Sequence, residues 1–421
     1  MKVKIYPSTI KGSLAIPSSK SMAHRALICA SLAQGTSEIS GITSSKDIEA
    51  TISCMSALGA KIEYKDKKYI VQGTNLSDLK QSALCDCHES GSTLRFLIPV
   101  ASLTNQKITF KGQGRLMQRP MDIYKDLFQS QDLLFSQKDE MIQIEGSLCP
   151  DSYVIPGHIS SQFISGLLFT LPLLKKESTI TVQEPYESKS YVDLTLQMLQ
   201  KFGIVITQEN NTYHIPGNQS YKAQQVHVEG DYSQMAFFGV LAALQSQLTL
   251  TNMDINSRQG DKVILDFLKQ AGANVQTSNQ QIDIAHNTLK AQTIDLADCP
   301  DLGPIVCVLA SYCSGITHCI HAKRLRIKES DRIEAMETEL RKWGVQISST
   351  EDTITIQGQK NYDTQNVVIH GHNDHRIVMA MTIFALCADT PCIIEDAQAI
   401  TKSYPTFFED IQKINGKVEI L

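Results

Sequence analysis

One pattern recurs six times along the chain and constrains the fold more than any other feature: the end of a helix, a turn residue, and two short strands. The turn residues lie 69 to 73 positions apart and are Gly59, Asp132, Gly203, Gly272, Gly344 and Gly416. Glycine suits the left-handed conformation that ends many helices, and aspartate tolerates that conformation better than most residues. The alternation of apolar and polar residues that follows predicts a β-hairpin. Chance similarity is the alternative, and the nearly constant spacing argues against it.

Repeats of about 70 residues are too long for a solenoid, whose repeats span roughly 20–50 residues. Each copy therefore predicts a small α/β unit of its own. A chain of 421 residues also exceeds what one ordinary hydrophobic core accommodates. We therefore predict an α/β protein with three such units in each of two domains.

The overall composition excludes some classes of function. Apolar residues make up 42% of the chain and charged residues 20%, which is typical of a soluble globular protein. A net charge of −5 argues against a nucleic-acid-binding protein, which would carry a basic balance. Cationic clusters on a mildly acidic chain indicate local pockets for small anions.

The 11 cysteines include no Cys-x-x-Cys pair, so their spacing predicts neither a disulfide framework nor a zinc site. We expect buried, reduced thiols in a cytoplasmic protein. The N-terminus lacks the apolar segment of a signal peptide, and no apolar run reaches the roughly 18 residues of a membrane-spanning helix.

The segment Lys323–Arg332 is the densest charge cluster, with five cations and two carboxylates. Lys328 and Arg332 are four residues apart, so at a helix start they would share one face and grip an anion with the helix N-terminus. A carboxylate lodged between them would be held ionised. The alternative is a solvated helix end with surface ion pairs.

Other segments combine hydroxyl groups, glycine and cations where helices are expected to start, which is typical of phosphate and carboxylate sites. They are Pro17–Arg25, Glu89–Leu97, Gly112–Pro120, Ile159–Phe163, Ser188–Tyr191, Cys299–Asp301, His372–Arg376 and Thr401–Pro405. Taken singly, each could be a helix cap or an ion pair.

In this order the segments resemble the family of 5-enolpyruvylshikimate-3-phosphate (EPSP) synthases, or 3-phosphoshikimate 1-carboxyvinyltransferases. The resemblance covers essentially the whole chain. Its most specific pieces are Pro17–Arg25, Gly91–Arg95, Gly112–Pro120, Ser160–Gln162, Arg326–Arg332, Asn373–Arg376 and Lys402. It implies an inside-out α/β barrel of six βαβαββ units, three per domain. One domain would be 1–17 with 229–421 and the other 18–228, with the active site in the cleft between them.

The resemblance also implies the reaction. The family transfers the enolpyruvyl group of phosphoenolpyruvate to the 5-hydroxyl of shikimate 3-phosphate and releases phosphate, in chorismate and aromatic amino-acid biosynthesis. A monomer is implied, with these two small-molecule partners, no nucleic-acid or membrane partner, and no metal or other cofactor. The residues implied for shikimate 3-phosphate are Lys20, Ser21, Arg25, Ser160, Ser161, Gln162, Ser188, Asp301 and Lys328. Those implied for phosphoenolpyruvate are Lys20, Gly91, Arg115, Gln162, Arg332, Arg376 and Lys402. Asp301 and Glu329, assisted by Lys20, are the candidates for proton transfer.

The sequence departs from the family pattern at three places: Ser18 replaces a glycine, Glu89–Ser92 replaces an Asn-Ala-Gly-Thr loop, and Arg324 stands where some members have asparagine. Gly91 is retained, which implies inhibition by glyphosate at the phosphoenolpyruvate site. One alternative is a UDP-N-acetylglucosamine enolpyruvyl transferase, but Gly112–Pro120 lacks the reactive cysteine of that family. The other is a non-enzymatic anion-binding protein, which would need neither Asp301 nor Glu329.

Overall fold

The computed structural model describes all 421 residues of the chain. Its strands are β1 Val3–Tyr6, β2 Lys11–Ala15, β3 Ala33–Gln34, β4 Thr36–Ser40, β5 Lys61–Lys65, β6 Lys68–Gln72, β7 Ala83–Asp86, β8 Ile108–Lys111, β9 Leu134–Lys138, β10 Met141–Glu145, β11 Ser152–Pro156, β12 Ser178–Gln183, β13 Thr207–Glu209, β14 Thr212–Ile215, β15 Tyr221–Lys222, β16 Gln225–His227, β17 Gln247–Thr251, β18 Asn274–Ser278, β19 Gln281–Ala285, β20 Thr293–Asp295, β21 Gly315–Ile320, β22 Gln346–Ser349, β23 Ile354–Gly358, β24 Val367–Ile369, β25 Cys392–Ile394 and β26 Lys417–Ile420.

Its α-helices are α1 Lys20–Leu32, α2 Lys46–Ala57, α3 Gly91–Ser102, α4 Asp122–Ser130, α5 Ser161–Thr170, α6 Lys189–Lys201, α7 Tyr232–Gln245, α8 Ile264–Ala271, α9 Gly303–Tyr312, α10 Arg332–Arg341, α11 His375–Cys387 and α12 Phe407–Lys413. The chain divides into two compact units, which we call unit 1 (residues 1–17 and 229–421) and unit 2 (residues 18–228).

Unit 2 contains three four-stranded sheets, with strand orders β7-β8-β10-β9, β11-β12-β14-β13 and β16-β4-β6-β5. In each sheet the first two strands run parallel and the last two form an antiparallel hairpin. A two-stranded sheet of β15 and β3 is also present. The unit has its own apolar core.

Unit 1 also contains three four-stranded sheets, with orders β20-β21-β23-β22, β18-β19-β17-β2 and β24-β25-β1-β26. The N-terminal segment completes two of them, because β2 pairs in parallel with β17 and β1 lies between β25 and β26. A separate apolar core fills this unit.

The structure confirms most of the predicted repeat. Gly59, Gly203, Gly272, Gly344 and Asp132 all have positive φ. The prediction for Gly416 is wrong: Asn415, with φ 71°, takes the left-handed conformation one residue earlier. The sixth copy also supplies only one strand, β26, and its antiparallel partner β1 comes from the other end of the chain.

Each unit combines two kinds of helix. Helices α1, α3, α5, α7, α9 and α11 are buried along nearly their whole length, as expected for helices that are apolar on every side. Helices such as α4 and α6 bury one face only. The first backbone N–H groups of such helices need partners, which are capping side chains, 3-10 hydrogen bonds, water or ligands.

All 11 cysteines are free thiols, and nine of them are buried. Cys149 is exposed and Cys387 partly so, which corrects the expectation that all are buried. No helix combines the length and apolar character needed to cross a bilayer. No group of three or more histidine, cysteine or acidic side chains is arranged to hold a metal ion.

Candidate active site

The starts of the buried helices in unit 2 carry many of the predicted site residues. Ser19, Ser90 and Ser160 cap α1, α3 and α5, and each hydroxyl oxygen accepts a backbone N–H from the first turn of its helix. This matches the N-caps expected from the serine-rich segments. The remaining N–H groups and the helix dipole favour an anion at these ends.

Helix α1 contributes two cations. The Nζ atom of Lys20, the first helical residue, lies 2.6 Å from Oδ2 of Asp47. The Arg25 guanidinium donates through Nη1 and Nη2 to the carbonyl oxygens of Ser21 and Tyr191, at 2.7 and 2.8 Å. Burial lowers the pKa of Arg25 to about 10, which leaves it charged at neutral pH.

Gly91 opens helix α3 beside a cation that differs from the predicted one. A Cβ atom at Gly91 would lie 2.5 Å from Nη1 of Arg119 and 3.7 Å from Oε1 of Gln162. Arg119 is buried, whereas Arg115 is exposed at the start of a 3-10 turn. The structure therefore brings together Gly91, Arg119 and Gln162, and it does not bring Arg115 into this group.

Two side chains that were not assigned a role hold Gln162 in place. Its Nε2 donates to Ser92 Oγ at 3.0 Å, and its Oε1 accepts from Arg95 Nη1 at 3.0 Å. Arg95 also donates through Nη2 to the Pro120 carbonyl oxygen at 3.2 Å. The orientation of the Gln162 amide is thereby fixed.

Two further serines complete this region of unit 2. Ser161 is the first residue of α5, and Ser188 precedes α6 with φ 53°. Both are buried. We call the unit 2 cluster the group of Lys20, Ser21, Arg25, Gly91, Arg119, Ser160, Ser161, Gln162 and Ser188.

In unit 1 a single carboxylate meets three cations. Oδ1 of Asp301 lies 3.3 Å from Lys328 Nζ and 3.1 Å from Arg332 Nη1. Its Oδ2 lies 3.1 Å from Arg376 Nη2, and Arg376 Nη1 donates to the Asp301 carbonyl oxygen at 3.0 Å. Asp301 therefore does not cap a helix, which was the alternative open from the sequence.

Arg332 is the centre of this arrangement and is almost inaccessible to solvent. It contacts Glu329 Oε2 at 2.7 Å and Asp374 Oδ2 at 2.8 Å, in addition to Asp301. The predicted shared helix face is wrong, because α10 begins at Arg332 and Lys328 lies outside it. The two cations nevertheless converge on the same oxygen of Asp301.

The charges set the protonation states of the carboxylates. Burial alone would raise the pKa of the Asp301 carboxyl, but Arg376, Lys328 and Arg332 outweigh it and hold the pKa well below its usual range. Burial would also raise the pKa of Asp374, but the charge of Arg332 outweighs it and lowers that pKa to about 2. The carboxylate predicted to lie ionised between Lys328 and Arg332 is therefore Asp301.

Lys402 lies at the end of a 3-10 turn and donates through Nζ to the carbonyl oxygen of Asn373 at 2.5 Å. That carbonyl directly precedes Asp374, the N-cap of α11. We call the unit 1 cluster the group of Asp301, Lys328, Glu329, Arg332, Asp374, Arg376 and Lys402.

The unit 1 and unit 2 clusters combine cations, hydroxyl groups and helix starts. This combination is typical of the class of proteins that bind small, multiply charged anions. Ionised carboxylates inside one group add a means of accepting protons. Comparison with known proteins narrows this class. The chain matches the family described as EPSP synthase (3-phosphoshikimate 1-carboxyvinyltransferase) over residues 5–411.

Individual members of this family are similar to the chain over its full length. A 3-phosphoshikimate 1-carboxyvinyltransferase of Clostridium perfringens is 44% identical over 421 residues, spanning 99% of this chain and 98% of that protein. One from Clostridium novyi is 42% identical over 431 residues, with the same coverage. The solved structure of EPSP synthase from Acinetobacter baumannii shares 26% identity and a TM-score of 0.81, covering 99% of each chain. The chain belongs to the EPSP synthase family, and its fold is the mixed α/β fold of those structures.

Proposed function

We propose that the chain transfers the enolpyruvyl group of phosphoenolpyruvate to the 5-hydroxyl of shikimate 3-phosphate and releases phosphate. The observation that carries this proposal is the match to the family over residues 5–411, supported by the full-length relatives of that name. The UDP-N-acetylglucosamine alternative is not favoured by these comparisons. A non-enzymatic role is not favoured by them either.

The two clusters supply the groups that such substrates require, since each substrate carries a phosphate and a carboxylate. We assign shikimate 3-phosphate to Lys20, Ser21, Arg25, Ser160, Ser161, Gln162 and Ser188 of unit 2, and to Asp301 and Lys328 of unit 1. We assign phosphoenolpyruvate to Lys20, Gly91, Gln162, Arg332, Arg376 and Lys402, with Arg119 in place of Arg115. The position of Arg119 beside Gly91, which also lies near Gln162, supports that replacement.

The chemistry needs one proton acceptor and one donor. The attacking hydroxyl loses its proton as its oxygen bonds to C2 of phosphoenolpyruvate, and the methylene carbon gains a proton. The tetrahedral intermediate then loses a proton from that methyl group and expels phosphate, which restores the double bond. Asp301, held ionised by three cations, is the candidate acceptor of the hydroxyl proton. Glu329 and Lys20 are the candidates for proton transfer at the carbon.

The proposal extends to the finer architecture. The six βαβαββ repeats would form an inside-out α/β barrel, with three repeats per domain. The enzyme would act as a cytoplasmic monomer without a metal or other cofactor.

Phosphate release measured with both substrates together and with each alone tests the reaction. We expect release only when both are present. A preparation of the Asp301→Asn variant, purified in the same way, controls for contaminating phosphatases. Release with phosphoenolpyruvate and UDP-N-acetylglucosamine instead would favour the second family.

A further inference from the structure

A chain of buried hydrogen bonds in unit 2 joins helix α1 to the start of helix α3. Nδ1 of His24 lies 2.7 Å from Thr51 Oγ1, which lies 2.7 Å from Thr93 Oγ1. The Thr93 hydroxyl donates to Ser90 Oγ, again at 2.7 Å. All four side chains are at most 1% exposed. None of them has a role in the proposed chemistry.

The Thr93 hydroxyl sets the direction of this chain because it donates to Ser90. Ser90 Oγ accepts both the Thr93 backbone N–H, at 3.2 Å, and the Thr93 hydroxyl. Because the Thr93 hydroxyl has one proton, Thr51 must donate to Thr93 and accept from His24. The imidazole therefore carries its proton on Nδ1.

The surroundings of the other ring nitrogen of His24 also favour this tautomer. Nε2 is buried without a hydrogen-bond partner, and a bare acceptor there is better tolerated than the unpaired N–H that the other tautomer would bury. Burial, and then the charges of Lys20 and Arg25, lower the pKa of His24 well below its usual value. The imidazole is thus neutral and donates through Nδ1.

The chain lies next to residues of the unit 2 cluster at two of its members. Ser90 directly precedes Gly91, which borders Arg119. Thr93 Oγ1 also lies 3.4 Å from the Asp47 carbonyl oxygen, and the carboxylate of Asp47 binds Lys20. Loss of one hydroxyl from the chain would loosen the α3 start relative to α1 and α2.

We propose that His24, Thr51 and Thr93 are positioning residues, which hold the N-terminus of α3 and Gly91 in the orientation that binds phosphoenolpyruvate. The assignment of the ligand rests on the proposed function. The geometric part, that the chain holds the α3 start, stands independently of it.

The substitution Thr51→Val tests the proposal because it removes the hydroxyl and keeps the branched shape. Thr170→Val is the matched control: Thr170 is also buried in unit 2, but its hydroxyl donates to Gly166 within its own helix. We expect Thr51→Val to raise the KM for phosphoenolpyruvate about five- to tenfold, the scale of one hydrogen bond. The KM for shikimate 3-phosphate should change less than twofold, and Thr51→Ser should restore the wild-type value.

Hydrogen exchange of the peptide containing residues 90–96 supplies a readout that does not depend on activity. Exchange should be faster in Thr51→Val than in wild type and unchanged in Thr170→Val. Equal KM values and equal exchange in the two valine variants would overturn the proposal. If wild type fails to release phosphate from the substrate pair, the proposed function fails, and the exchange measurement still decides whether the chain positions α3.

Discussion

At the scale of single residues, three cations around one carboxylate determine the protonation state that Asp301 keeps. Because its pKa is well below the usual range, Asp301 remains ionised throughout the neutral region. A carboxylate in this state can accept a proton but has none to donate. Within the proposed function we therefore assign proton acceptance to Asp301, whereas the sequence left the order of Asp301 and Glu329 open.

We expect Asp301→Asn and Glu329→Gln each to lower kcat by about 10²–10⁴-fold, the usual contribution of positioned proton transfer. Substrate binding should fall less for Glu329→Gln, because the amide keeps the shape of the side chain. Asp295→Asn, at an exposed carboxylate that contacts His321, is the control and should leave kcat unchanged. A variant with near-normal kcat would remove that residue from its role.

The lowered pKa of Lys328 predicts that the KM for shikimate 3-phosphate depends on pH. Burial lowers the pKa of its ammonium group to about 8, against the attraction of Asp301. As pH rises through about 8 the group loses its charge, so the KM for shikimate 3-phosphate should increase. The guanidinium of a Lys328→Arg variant stays charged and should flatten this profile. Steady-state kinetics between about pH 6.5 and 9.5 would check it; an equal rise in both proteins would contradict the assignment to Lys328.

Gly91 predicts the response to glyphosate. A methyl group there would lie 2.5 Å from Arg119 Nη1, so the guanidinium would have to move. We expect competitive inhibition of wild type against phosphoenolpyruvate, with Gly91→Ala weakening glyphosate more than it weakens the substrate. Inhibition constants and KM values for both proteins decide this. Equal, weak inhibition would instead indicate that Glu89, Ser90 and Ser92, the departures from the family loop, control access.

At the scale of secondary-structure elements, the start of α10 places a helix cap next to a candidate site residue. Asp331 caps this helix by accepting the N–H groups of Ile333 and Glu334, and it also pairs with Arg326 at 2.9 Å. Arg332 is the first residue of the helix that Asp331 caps.

We expect Asp331→Ala to lower the free energy of unfolding by about 1 kcal/mol, as for other lost caps, and to raise the KM for phosphoenolpyruvate by moving Arg332. Asp331→Asn keeps a capping oxygen, so its free energy of unfolding and its KM for phosphoenolpyruvate should stay close to the wild-type values. Urea unfolding and steady-state kinetics on the two variants check this. Loss of stability with an unchanged KM would show that Arg332 is held by its carboxylate partners alone.

The elements also show what could be predicted from the sequence. The turn residues and hairpins were predictable because helix ends and strand alternation are local signals. The partners of β1, β2 and β16 were not, since each lies far along the chain from the strands it pairs with. The choice between Arg115 and Arg119 was likewise beyond the sequence, because only the 3-10 turn between them decides which one is buried.

At the scale of the whole molecule, the two units differ in how the chain builds them. Unit 2 is one continuous segment with its own core. Unit 1 needs residues 1–17, since β1 pairs with strands on both sides and its Val3 and Ile5 are fully buried. The Pro17 carbonyl oxygen accepts a hydrogen bond from the Asp231 N–H at 2.9 Å. The two segments of unit 1 are therefore joined next to the two ends of the inserted segment 18–228.

This connectivity predicts which fragments fold. Residues 18–228 alone should unfold cooperatively, and so should residues 1–17 joined to 229–421 by a short glycine linker. Residues 229–421 alone should not, because removal of β1 leaves β25 and β26 without their common partner. Thermal unfolding followed by circular dichroism, with the intact chain as reference, compares the three. If 229–421 melted as cooperatively and at the same temperature as the joined chain, the N-terminal strands would not be required for the fold of unit 1.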